Sequence, residues 1–233
     1  MRRLRISLTF APLLIIALAL SGSASERRLP RILPLEIAKA RPGFAVSDRV
    51  LFVVDVSGSM HGELDRAVGA VLLILMSPAD GFQAGIVTFA DAPQRWEGVA
   101  EPCTHPKGIA HTRRCVRHGW AAFPMAHREA VTHLLGLEAD GGTEPGPALL
   151  QALRDPTPSL TVVLVSDGDF KLEAVVPVIQ AGQAWRKQKG LGEAPIMVWG
   201  AGIADKDTES LKTIAKLGGG GYWIASEERS GPW

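Results

Sequence analysis

Residues Val50 to Val54 form an unbroken apolar run, VLFVV, with none of the polar positions that alternate along a half-exposed strand. Such a run is stable as a strand where both of its faces are covered, as in a parallel sheet with helices on either side. The following residues pattern as one of those helices. Leu64, Ala67, Val68, Val71, Leu72 and Leu75 recur on a single face, and Pro78 and Gly81 stop the pattern.

The alternation continues to the end of the chain. Strand-like runs cover Gln83 to Phe89, Leu160 to Val165 and Pro195 to Trp199. A helical pattern spans Met125 to Leu137, with Val131, Leu134 and Leu135 on its apolar side. Pro177 sits badly inside one long helix from Lys171, so a short turn is expected first and the main helix from Pro177 to Lys189, closed by Gly190. Thr208 to Leu217 reads as a last helix, the glycines Gly218 to Gly221 follow, and Tyr222 to Ala225 reads as a last strand. A shorter polar strand near Gln94 to Val99 is expected antiparallel at the edge, where Pro93 is tolerated. Alternating strands and helices predict a mostly parallel sheet, with ligand sites in the loops that leave the carboxyl ends of its strands.

The first segment reads differently. Arg2, Arg3 and Arg5 precede an apolar run from Ile6 to Leu20 and the small residues Ser21 to Ala24, the pattern of an export signal over residues 1–24. The rival reading is an uncleaved anchor, against which the run is shorter than the roughly 20 residues that span a bilayer. Residues 25–48 carry Pro30, Pro34, Pro42 and several basic side chains and predict an extended lead-in. One domain is expected over 49–227 and a tail over 228–233, so the chain is read as periplasmic, envelope-bound or secreted. Membrane contact is expected only if the first segment stays attached. The 25 basic and 24 acidic residues give a net charge of +1, and without Arg2, Arg3 and Arg5 the balance is 22 against 24, or −2. Nucleic acid is therefore not an expected partner.

The chemistry gathers in three loops. The run from Val50 ends in Asp55, Ser57 and Ser59, a D-x-S-x-S spacing. Alone this spacing is ambiguous, since Asp and Ser also serve turns and helix N-caps. A second segment, Gly141 to Leu149, holds Thr143 in a glycine-rich loop, and a third, Val163 to Gly168, places Asp167 at a strand end. In order and spacing these segments resemble the von Willebrand factor type A (vWA) domain family and its metal-ion-dependent adhesion site (MIDAS), over about Arg49 to Ser226. The ending LKTIAKLGGGGY, Leu211 to Tyr222, is also similar to the family's last helix and glycine-led strand.

The resemblance implies a Rossmann-like three-layer α/β fold with a mostly parallel central sheet, one antiparallel edge strand and helices on both faces. It implies a divalent cation at Asp55, Ser57, Ser59, Thr143 and Asp167, and a protein partner whose Asp or Glu completes the coordination. Hydroxyls and two carboxylates suit Mg²⁺, and Mn²⁺ or Ca²⁺ would also fit. His61, Glu144 and Asp169 adjoin these positions as candidates to support the site or touch the partner. A structural envelope subunit, in which the metal mainly holds the fold, is the alternative, and a metal-assisted hydrolase is a weaker one. No enzyme activity is expected, because no general base stands out in the three loops. There is no phosphate-loop or H-E-x-x-H motif, so no nucleotide is expected.

Residues 101–124 are longer than the connection requires. Cys103 and Cys115, the only two cysteines, are expected to form a disulfide in an exported chain, while His105, His111 and His118 leave a zinc site open as the alternative. Lys107, Arg113, Arg114 and Arg117 make the segment basic. An antiparallel edge strand would send it off at the end of the sheet away from the metal loops.

Overall fold

The computed structural model describes residues 49–75, 83–96, 100–104, 110–116, 120–122, 127–201 and 208–224. The expected export signal, lead-in and tail lie outside the described residues. Strand β1 (Arg49–Asp55) pairs in parallel with β2 (Gln83–Phe89) on one side and β7 (Leu160–Ser166) on the other. Beyond β7 come β8 (Ile196–Gly200) and β9 (Tyr222–Ile224), both parallel. The helices are α1 (Leu64–Leu75), α2 (His127–Leu135), α3 (Pro145–Leu153), α4 (Leu172–Gln188) and α5 (Thr208–Leu217).

The unbroken apolar run of β1 divides between two cores. Val50, Phe52 and Val54 pack with Val68 and Val71 of α1 and Leu134 of α2. Leu51 and Val53 pack on the other face, in the layer of Leu149 from α3, Ile179 from α4 and Leu211 from α5. Successive strand residues point to opposite faces, so a strand buried on both must be apolar at every position. The three-layer expectation holds.

The antiparallel edge is present but broken in two. Strand β3 (Pro93–Arg95) pairs with Val87–Phe89 and the Trp96 amide donates to the Ile86 carbonyl, while β6 (Trp120–Ala122) pairs antiparallel with Gln83–Gly85. The edge strand expected over Gln94 to Val99 is thus completed from further along the chain. Between its halves a separate antiparallel ribbon, β4 (Ala100–Thr104) with β5 (Ala110–Val116), is inserted. It leaves halfway along the edge and not at the far end, because β2 has room for two short strands in line.

Helix α4 corrects a second expectation. It runs unbroken from Leu172, with Pro177 in its interior instead of at its first position. Proline removes one amide bond and crowds the carbonyl four residues back, at about 3 kcal/mol in a helix interior. Pro177 is on the exposed face, where water can serve the freed carbonyl, while Val175, Ile179, Gly182 and Arg186 bury the opposite face. Arg186 is fully buried and donates to three carbonyls, of Gly192, Asp155 and Thr157, at 3.1, 2.9 and 2.8 Å. Asp155 in turn accepts from Arg95 at 2.6 Å. This network ties α4 to the segment entering β7, at the end of the sheet away from Asp55.

Pro177→Ala restores the missing donor without touching the core. The variant is expected to gain about 1–2 kcal/mol in urea denaturation, the helix gain offset in part by a freer unfolded chain. No gain, or a loss, would mean that the helix begins at Pro177 after all.

Candidate functional site

Parallel strands β1 and β7 end side by side, so Asp55 and the residues after Ser166 emerge at one edge of the sheet. Asp55 is fully buried, as are Ser57 and Ser166. Its Oδ1 accepts from the Ser57 amide at 3.0 Å and the Ser57 hydroxyl at 2.6 Å. Its Oδ2 accepts from the Ser166 hydroxyl at 2.6 Å. Ser57 precedes a short 3₁₀ turn, Gly58–Met60, yet its side chain makes no capping bond. The hydroxyl turns back to Asp55 and lies 3.0 Å from the Ser59 hydroxyl, so the Ser57 side chain does not cap the 3₁₀ turn, while the Asp55 bond to the Ser57 amide is the Asx turn that the spacing also allowed.

The second loop is sewn to the first. The Gly58 amide donates to the Gly141 carbonyl at 3.0 Å, and the Asp140 amide to the Val56 carbonyl at 2.8 Å. Thr143, half-buried, stands between two anchored neighbours: the Gly142 amide donates to Asp91 Oδ1 at 2.8 Å and the Glu144 amide to the Ala90 carbonyl at 3.0 Å. Gly141 has φ +80°, and a Cβ there would come within 2.8 Å of the Asp91 carboxylate. A side chain there would be strained by the positive φ and would displace the Asp91 carboxylate that anchors Gly142. Helix α3 begins at Pro145, so the loop proper is only Gly141–Glu144.

The third loop turns at Gly168, with φ +87°, whose amide donates to the Ser166 hydroxyl at 3.1 Å. Asp167 is half-buried and its Oδ1 accepts from the Asp169 amide at 3.1 Å. Burial is the main cause that raises the Asp55 pKa; the hydroxyl and amide bonds from Ser166 and Ser57 oppose the rise, and the nearby Asp167 charge adds to it. The three loops thus bring Asp55, Ser57, Ser59 and Asp167 into one neighbourhood, with Thr143 held on the loop bonded to Gly58.

Of the adjoining candidates, His61 is exposed and its amide closes the 3₁₀ turn on Gly58. Glu144 is exposed at the start of α3 without a side-chain cap bond, and Asp169 is exposed. Sequence reasoning passed over two residues, Ser166 and Asp91. Ser166 was legible as a polar residue ending a buried strand, whereas Asp91 looks like any turn former. Cys103 lies on β4 and Cys115 on β5 opposite Glu101; the backbone alone is described there, so their sulfur chemistry, and the three histidines of the zinc alternative, lie outside the described side chains.

The donors at the three loops are all oxygen: two carboxylates and three hydroxyls. Among the described residues no three His, Cys, Asp or Glu side chains gather as a metal cluster. The set fits a small hard cation, whose charge would balance the buried carboxylate and Asp167.

No protein-family model matches the sequence, and comparison with curated proteins gives no match. Solved structures do match. A von Willebrand factor type A protein from Catenulispora acidiphila aligns with a TM-score of 0.53 and 19% identity, over 78% of this chain and 39% of its own. The chain has the von Willebrand factor type A fold. An aerotolerance-related membrane protein from Bacteroides fragilis aligns with a TM-score of 0.54 and 15% identity, over 77% of this chain and 92% of its own. The PilB minor pilin from Streptococcus sanguinis gives 0.52 and 13%, over 76% and 56%. The chain therefore spans less than two thirds of the Catenulispora and pilin chains.

Because folding raises the pKa of Asp55, the folded chain holds this proton more tightly than the unfolded one. Its contribution to stability is full below the ordinary carboxylate value and is lost as pH rises through the raised value. Asp55→Asn keeps an acceptor for Ser57 and an amide toward Ser166. In chelator at neutral pH it is expected to be more stable than the parent, with the difference closing on acidification. Denaturation curves across the acid range check this; a less stable variant at neutral pH would mean that the carboxylate's hydrogen bonds outweigh its burial.

Proposed function

We propose that this vWA domain is a binding module that grips a divalent cation, Mg²⁺ by preference with Mn²⁺ or Ca²⁺ as substitutes, at Asp55, Ser57, Ser59, Thr143 and Asp167. The observation that carries the reading is the buried Asp55 carboxylate, held from both sides by Ser57 and Ser166 beside a pair of hydroxyls 3.0 Å apart. A buried charge is costly unless matched, and a cation would match this one. Asp55 orients the Ser57 hydroxyl by accepting its hydrogen bond, so the Ser57 oxygen accepts from Ser59 and keeps a further lone pair for a metal. The cation supplies an electrophilic coordination position, and a carboxylate from a protein partner is the group that suits it.

Export belongs to the same proposal. It is supported by the basic and apolar segment from Arg2 to Ala24 and by two fold neighbours described as a membrane protein and a minor pilin. We also propose a Cys103–Cys115 disulfide, on the ground that two cysteines close in sequence in an exported chain tend to pair; Cys115 faces Glu101, two residues from Cys103, so closing the bridge requires a local shift of the ribbon.

Calorimetric titration of Mg²⁺, Mn²⁺ and Ca²⁺ into chelator-stripped protein tests the reading. One saturable site is expected, weakened about tenfold or more in Ser59→Ala and Asp167→Ala, a loss of at least about 1.4 kcal/mol. Ser59 is exposed and Asp167 half-buried, so both variants should keep the fold. Absence of binding by all three cations would overturn it.

A further inference from the structure

We propose that Ser166 is a positioning residue that couples the first and third loops of the candidate metal site, a role that rests on the cation reading for its functional meaning but has a structural signature of its own. Ser166 ends β7, fully buried, with its carbonyl accepting from the Ala201 amide at 3.0 Å. Its backbone is thus fixed by the ladder to β8, where Ser166 faces Gly200. Its side chain works in two directions at once. The hydroxyl donates to Asp55 Oδ2 at 2.6 Å and accepts from the Gly168 amide at 3.1 Å.

A hydroxyl has one proton to give and two lone pairs to offer. Here the proton is committed to a carboxylate, so the oxygen is left to accept, and the Gly168 amide is the donor that meets it. The first bond fixes the rotation of the Asp55 carboxylate, and through Oδ1 that rotation sets where the Ser57 amide and hydroxyl sit. The second fixes the turn that carries Asp167. One oxygen atom therefore sets the spacing between a donor pair on the first loop and a carboxylate on the third. An alanine at this position leaves the Asp55 Oδ2 and the Gly168 amide without this partner, and each loop is released from the other. Threonine keeps the hydroxyl. Groups that orient metal ligands through hydrogen bonds typically contribute about 10–100-fold in metal affinity.

The test compares the parent with Ser166→Ala and Ser166→Thr by Mg²⁺ calorimetry and by amide hydrogen exchange in chelator. The alanine variant is expected to bind Mg²⁺ about 10–100-fold more weakly, with the threonine variant recovering most of the loss. In chelator the alanine variant is expected to speed exchange at Gly168, which loses its own acceptor, and also at Ser57, which Ser166 reaches only through Asp55. Amides in the middle of β1 and β7 should keep their protection. Alanine binding Mg²⁺ within twofold of the parent would overturn the proposal, and so would exchange that quickens at Gly168 while Ser57 stays as it was. If the parent itself binds no cation, the cation reading fails, and the coupling is then decided by the Ser57 exchange alone. Should the alanine variant fail to fold, Ser166→Cys fills the same space with a weak donor and is expected to give the same pattern.

Discussion

A carboxylate with no solvent exposure at the end of a central strand is the constraint around which this site is arranged. Asp55 terminates a central strand buried at every position after Arg49 and must be satisfied by donors that the fold itself delivers. Those donors come from two places far apart in sequence: Ser57, two residues on, and Ser166, at the end of the adjacent parallel strand. A parallel pairing of β1 with β7 is what brings the two chain ends together. The sheet topology and the polar chemistry at its edge are therefore one requirement seen from two sides.

The same logic separates the two ends of the sheet. At the end entered by β7, the buried Arg186 donates to three carbonyls and Asp155 accepts from Arg95, a network that joins parts of the fold to one another. At the end where β1 and β7 finish, the hydroxyls of Ser57 and Ser59 face each other and Asp167 is half-exposed. The second loop supports this end from outside, with the Gly142 amide bonded to Asp91 and Gly141 at a positive φ that glycine adopts without strain.

Much of this was legible in the sequence because burial on both faces leaves an unambiguous mark. The apolar runs of β1, β2 and β7 fall where the pattern puts them, and the segments that follow β1, precede α3 and follow β7 meet at one edge of the sheet. What escaped has physical reasons. Pro177 is tolerated inside α4 because it faces water while four turns of packing hold the helix, and packing of that kind leaves no local signal. The edge strand is assembled from β3 and β6, on either side of an inserted ribbon, and strands of three residues are too short to announce themselves. Ser166 and Asp91 act through partners 111 and 51 residues away, a relation that no spacing rule contains.

A crystal grown with Mn²⁺ would show whether the three loops converge on one hard cation, since the ion's anomalous scattering marks its place without reference to the protein. A single strong peak is expected among Asp55, Ser57, Ser59, Thr143 and Asp167, with ligand oxygens within hard-cation bonding distance and the Ser166 hydroxyl still bonded to Asp55. An empty site at saturating Mn²⁺, or a peak only at the Cys103 to His118 segment, would contradict it.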